Sequence, residues 1–82
     1  MPTVHRFDGL RILIYSNAHR PAHVHVQGAG GEAVFFLNCP EGPPKLRESY
    51  GFKLSEVRRI ERTLATLLVI LCEKWRRIHG YH

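Results

Sequence analysis

Three histidines, His19, His23 and His25, fall within seven consecutive positions, and Arg20 and Pro21 stand between the first two. Imidazole titrates near neutral pH, so such a cluster can supply both a general acid and a general base. It can equally ligate a metal, because three neutral imidazoles bind zinc and leave a fourth position open to water. Side chains two apart on a strand share a face. His23 and His25 can therefore act on one bound atom while His19 reaches in from a loop that Pro21 stiffens. The plainer alternative is a pair of solvent-facing histidines tolerated on an edge strand. Glu32 lies seven positions beyond His25 and is not counted with the cluster. His5 reads as a core histidine of the first hairpin, and His79 and His82 fall at a fraying end.

The second chemical signal is charge. Twelve Lys and Arg stand against seven Asp and Glu, a formal net charge of +5. Most of the bases are arginine, whose planar fork suits phosphate and carboxylate. Arg6, Arg11 and Arg20, with Arg58, Arg59 and Arg62, are expected to build a basic surface for nucleic acid, and Tyr15 and Phe36 offer stacking platforms for bases. Phosphate loop, dinucleotide fingerprint, nucleophile elbow and paired carboxylates are all missing from the sequence. No cofactor is expected.

These residues need elements to hold them. Thr3–Phe7 and residues 10–16 flank Asp8-Gly9, the dipeptide suited to a two-residue type I′ turn. That turn would set Phe7 opposite Leu10, Arg6 opposite Arg11, His5 opposite Ile12 and Thr3 opposite Ile14. Opposed arginines repel, so the pair calls for an acidic neighbour, solvent or an anionic ligand. Residues 23–27 and 32–38 form a second hairpin around a looser turn, Gly28-Ala29-Gly30-Gly31. Val24, Val26, Ala33, Phe35 and Leu37 should share one face, with His23, His25, Val34 and Phe36 on the other. Prolines make residues 39–44 a loop, and Lys45–Tyr50 a short fifth strand at an edge.

From Ser55, placed as N-cap, Val57, Ile60, Leu64, Leu67, Leu68, Leu71, Trp75 and Ile78 recur at helical spacing up to a stop at Gly80. The fold class is thus α+β, one domain over residues 1–82, with two antiparallel hairpins forming a sheet against a single long C-terminal helix. Residues 67–72 are apolar all round, more than one packing face needs, so part of that turn is expected to meet another chain, as a homo-oligomer or a hetero-complex. No segment approaches the roughly 18 apolar residues of a membrane span, and the N-terminus lacks signal-peptide regions, which makes the cytoplasm the expected location. Cys39 and Cys72 show no metal-type spacing and are expected as packed thiols.

The segment Tyr15-Ser16-Asn17-Ala18-His19-Arg20-Pro21-Ala22-His23-Val24-His25-Val26 resembles the small bacterial proteins grouped as domain of unknown function 4160. Met1-Pro2-Thr3-Val4, Gly31-Glu32-Ala33, Gly51-Phe52 and Glu56-Val57-Arg58-Arg59-Ile60 carry the likeness nearly end to end. That family shows an acidic residue before the first histidine and a second proline after it, where this chain has Ala18 and Ala22. The change removes a carboxylate that would orient or ligate beside His19. The resemblance implies a partner similar to domain of unknown function 2442, in an arrangement like a type II toxin and antitoxin pair, with this chain as the toxin.

The leading expectation is therefore a toxin-like component that binds RNA or cleaves it without metal. In the cleaving version one of His23 and His25 takes the ribose 2′-hydroxyl proton, the other protonates the leaving oxygen, His19 can substitute for either, and Arg20 steadies the phosphorane. A noncatalytic module docking an acidic protein and a metal-binding protein using His19, His23 and His25 are the alternatives.

Overall fold

The computed structural model describes residues 2–80. Asp8 and Gly9 both take positive φ, 48° and 77°, the type I′ geometry whose twist matches that of the flanking strands. The turn closes β1 (Thr3–Phe7) onto β2 (Leu10–Leu13). Phe7 pairs with Leu10, Arg6 with Arg11 and His5 with Ile12, as expected. A bulge between Thr3 and His5 then sets Thr3 opposite Leu13 instead of Ile14. The extra residue is Val4, which packs against the core.

The second hairpin is tighter than its glycines suggest. Pairing of β3 (His23–Gly28) with β4 (Gly31–Phe36) runs down to Gly28 opposite Gly31. Only Ala29 and Gly30 remain in the turn, with φ of 51° and 79°. β5 (Lys45–Tyr50) adds to β4, with an irregularity between Val34 and Phe35 that leaves Arg47 as the unpaired residue. All five strands form one antiparallel sheet in the order β1-β2-β3-β4-β5. β3 is therefore the central strand and not an edge, because β2 takes its free side through Arg11 with Gln27, Ile12 with Val26 and Leu13 with His25.

Two helices stand where one was expected: α1 (Leu54–Thr66) and α2 (Leu68–His79), divided at Leu67 with φ −97° and ψ 4°. The cause is local. Thr63 Oγ1 donates to the Arg59 carbonyl at 3.1 Å and Thr66 Oγ1 to the Thr63 carbonyl at 2.7 Å. The Leu67 N–H is then shared between the Thr63 and Leu64 carbonyls. Hydroxyls that back-bond in this way bend a helix, and an apolar count does not register them. Lys53, not Ser55, is the N-cap, and its N–H donates to Glu56 Oε1 at 2.9 Å. Gly80 ends α2 in the left-handed conformation, as expected.

One face of the sheet carries the core. Val24, Val26, Ala33, Phe35 and Leu37 meet Val57, Ile60, Leu64, Leu68, Leu71 and Trp75 from the helices. The turn from β5 into α1 rests directly on the second hairpin, since a side chain at Gly51 would run into the Gly30 backbone. Cys39 and Cys72, expected as separate thiols, form a disulfide with Cα atoms 5.8 Å apart. The proline loop folds back over α2, which brings the two cysteines together across a separation of 33 positions. Within the apolar turn 67–72, Leu68, Leu71 and Cys72 are buried, whereas Val69 is 79% and Ile70 48% exposed. No helix among the described residues is long and apolar enough to cross a membrane.

Candidate functional site

Because strand residues alternate, the face opposite the core collects the side chains that carry chemistry. Its rows follow from the register. Arg6, Arg11, Gln27, Glu32 and Tyr50 form one cross-strand row, Leu13, His25, Val34 and Glu48 the next, and His23, Phe36 and Lys45 the last. Leu13 and Val34 are buried on this face, and α2 reaches its His23 end through Trp75.

His23 and His25 lie together as expected, with ring centroids 5.6 Å apart. Each has its Nδ1 fixed by an acceptor. His23 Nδ1 is 2.9 Å from the Pro21 carbonyl, and His25 Nδ1 is 3.1 Å from Glu32 Oε2. A carbonyl and a carboxylate can only accept, so both rings donate from Nδ1 and keep Nε2 for other chemistry. The pair belongs to a longer chain of rings. Tyr15 meets His25 edge-on at 4.9 Å, His23 lies 5.3 Å from Trp75, and Trp75 stacks on His79 at 4.0 Å. His79 is thus no fraying residue, since its Nε2 is also 3.1 Å from the Tyr15 carbonyl. His82 lies outside the described residues. His5 is half-buried on β1, away from this cluster.

His19 stands on the other side of His23. With Arg20, Pro21, His23, Phe36 and Arg47 it lines an open hollow of about 480 Å³. The Arg47 guanidinium is 5.9 Å from the centre of the Phe36 ring, an approach that orients the cation over an aromatic floor. The three expected histidines are accordingly divided, His19 with His23 at the hollow and His25 with Glu32 beside it. Among the described residues no three His, Cys, Asp or Glu side chains are grouped to hold one ion.

The expected basic surface is divided as well. Arg6 and Arg11 oppose one another on the open face, and Arg11 Nη2 donates to Gln27 Oε1 at 3.2 Å. Gln27 in turn approaches the Tyr15 hydroxyl at 3.5 Å. Arg58 and Arg62 sit on α1, where they line a different hollow with Pro43, Pro44, Glu61 and Ala65. They belong to the helix layer; of the arginines expected in the basic surface, Arg20 lines the hollow with His19 and His23, and Arg6 and Arg11 lie on the same sheet face as the histidines.

Two residues were missed from the sequence. Glu32 was legible in principle: once residues 28 and 31 pair, Glu32 faces Gln27 and is the diagonal neighbour of His25 on one face. Arg47 was not, because its position depends on the β5 irregularity.

These features define a small antiparallel meander backed by two helices, with a histidine and arginine site on the face opposite the main core. The chain belongs to the DUF4160 family, a domain of unknown function, whose model matches residues 9–76. His19, Arg20, His23, His25, Glu32, Phe36 and Arg47 all fall within the matched span, and Arg6 falls outside it. No curated protein and no solved structure matches the chain.

Proposed function

We propose that the protein is the RNA-directed, toxin-like member of a two-protein module, acting in the cytoplasm and gripping single-stranded RNA on the sheet face that carries His23 and His25. One observation carries this reading: His19, Arg20, His23 and Arg47 surround one open hollow with Phe36 against Arg47. Forked guanidiniums suit a phosphate oxygen pair, and an aromatic ring accepts an unstacked base. A hollow of about 480 Å³ falls within the range of small-ligand sites. The net charge of +5 supports a polyanion as the partner. The module reading rests on the family's implied pairing, and the exposed Val69 and Ile70 on α2 would meet the antitoxin-like partner or a second copy.

The test is binding of a fluorescent single-stranded oligoribonucleotide, followed by anisotropy across a salt series. Arg47→Ala and Phe36→Ala are expected to weaken binding, each by about 1–3 kcal/mol for a stacked base or paired phosphate. Arg58→Ala, on the other layer, should leave it unchanged. Growth arrest on expression should be lost in the same two variants. Equal affinity for wild type, Arg47→Ala and Phe36→Ala would overturn the proposal.

A further inference from the structure

The part-buried hydrogen bond between His25 and Glu32 is built on the second hairpin's register, and the RNA-binding reading alone gives it no task. Its carboxylate holds Nδ1 at 3.1 Å and leaves Nε2 pointing away from the acceptor. A carboxylate in that position fixes one tautomer, with the proton on Nδ1 and the lone pair on Nε2, which is the form a general base needs. His23, held instead by the neutral Pro21 carbonyl at 2.9 Å, adjoins both this ring and the arginine hollow. The two rings thus present their Nε2 atoms to one another's neighbourhood from different supports, a carboxylate behind His25 and a backbone carbonyl behind His23.

We propose that the site cleaves single-stranded RNA by transesterification, with His25 as general base, His23 as general acid and Glu32 as the positioning residue behind His25. The inference rests on the RNA-binding reading above and deepens it. With the scissile phosphate seated toward Arg20 and Arg47, His25 Nε2 takes the proton of the neighbouring ribose 2′-hydroxyl. The 2′-oxygen forms a bond to phosphorus, the bond from phosphorus to the 5′-oxygen breaks, and protonated His23 Nε2 delivers its proton to that leaving oxygen. The products are a 2′,3′-cyclic phosphate and a 5′-hydroxyl, and no oxidant, water or metal enters the balance. A second cycle begins once the two histidines exchange their protonation states through solvent.

The experiment follows cleavage of an end-labelled single-stranded oligoribonucleotide and of its all-2′-deoxy counterpart, with chelator present, while binding is measured separately by anisotropy. Wild type is expected to cut only the ribose strand and to leave a cyclic phosphate end. His25→Ala should lower the cleavage rate by about 10²–10⁴-fold with affinity retained, and His23→Gln should lower it as much at saturating RNA, the usual worth of a general acid or base. Glu32→Ala should lower the rate about tenfold, the order of one partly exposed charge-assisted hydrogen bond, with Kd unchanged. Glu32→Gln, whose amide oxygen still accepts from Nδ1, should recover part of the loss. A purely structural role for Glu32 would move folding and affinity together and give no such recovery. Circular dichroism establishes that each variant is folded. RNA bound but uncut, cutting of the deoxy strand, dependence on chelatable metal, or full activity in folded His25→Ala would each overturn the inference and leave the binding reading standing. Failure of wild type to bind RNA would overturn both.

Discussion

The imidazole of His23 lies 5.3 Å from the indole of Trp75, centroid to centroid, so the strand that carries the site is anchored on the end of α2. Trp75 is fully buried and continues into His79, whose Nε2 reaches the Tyr15 carbonyl. Truncation to Trp75→Ala should cost about 3–5 kcal/mol, as for other buried large-to-small changes. Trp75→Phe should cost clearly less, because the indole Nε1 is buried without a hydrogen-bond partner and its removal forfeits no bond. Urea unfolding followed by circular dichroism measures both. Equal losses for the two variants would mean that the indole nitrogen matters after all.

The disulfide between Cys39 and Cys72 ties the proline loop to α2 and closes a stretch of 33 positions. Constraining a loop of that length in the unfolded chain is worth about 2–4 kcal/mol. The double variant Cys39→Ser with Cys72→Ser should lose about that much in denaturant unfolding, beyond the effect of the buried Cys72 position itself. Disulfides persist chiefly in oxidising compartments. Thiol counting on protein trapped directly in the cells that make it therefore distinguishes a standing bond from a pair that forms on isolation. Two free thiols there would agree with the sequence expectation.

How far the sequence could lead depended on whether local or cross-strand physics decided each feature. Asp8-Gly9 specified its turn and its first three pairs because few residues tolerate two successive positive φ values. The valine and phenylalanine alternation likewise placed the core face. The division at Leu67 was not visible in hydrophobic spacing, since two threonine hydroxyls cause it. At the site, the period of two put His23 and His25 on one face. What lay beyond reach was tertiary: β2 taking β3's free side, the proline loop swinging Cys39 to α2, and Arg47 arriving from β5 at the hollow.

Tyr50 gives a pH-dependent signal on the same face. Its phenol is raised above the ordinary tyrosine value, first by its hydrogen bond to Glu48 and then by the negative charge of Glu48. The hydroxyl donates to Glu48 Oε2 at 2.8 Å. A raised folded-state value favours the protonated phenol. This contribution is complete below about pH 10, the unfolded value, and is lost as pH rises through the folded one. Absorbance titration should show Tyr50 ionising later than in Glu48→Gln, with Tyr50→Phe identifying the signal. Coincident titrations in wild type and Glu48→Gln would remove Glu48 as the cause.

Arg6 and Arg11 extend the basic face away from the hollow. Removing one guanidinium that pairs with a phosphate should reduce the slope of log affinity against log salt by about 1. The pair Arg6→Ala and Arg11→Ala should thus flatten RNA binding toward salt, while Arg58→Ala with Arg62→Ala, on the helix layer, should not. An unchanged slope in the first pair would confine the RNA to the hollow.

Val69 and Ile70 leave the apolar turn of α2 open to solvent, beside Glu73, Lys74 and Arg77. Their neighbours Leu68 and Leu71 are already committed to the core, so the outer pair adds nothing to the fold of the single chain. Burying these two side chains against a partner recovers about 1.5–3 kcal/mol each when the burial is complete. Sedimentation at rising concentration should show self-association of the chain alone, or a complex when the partner chain is expressed with it. Val69→Lys with Ile70→Lys should abolish either assembly and leave the unfolding transition in place, because neither position is covered by the sheet. A strictly monomeric protein whose partner complex tolerates both lysines would exclude this face of α2 as the interface.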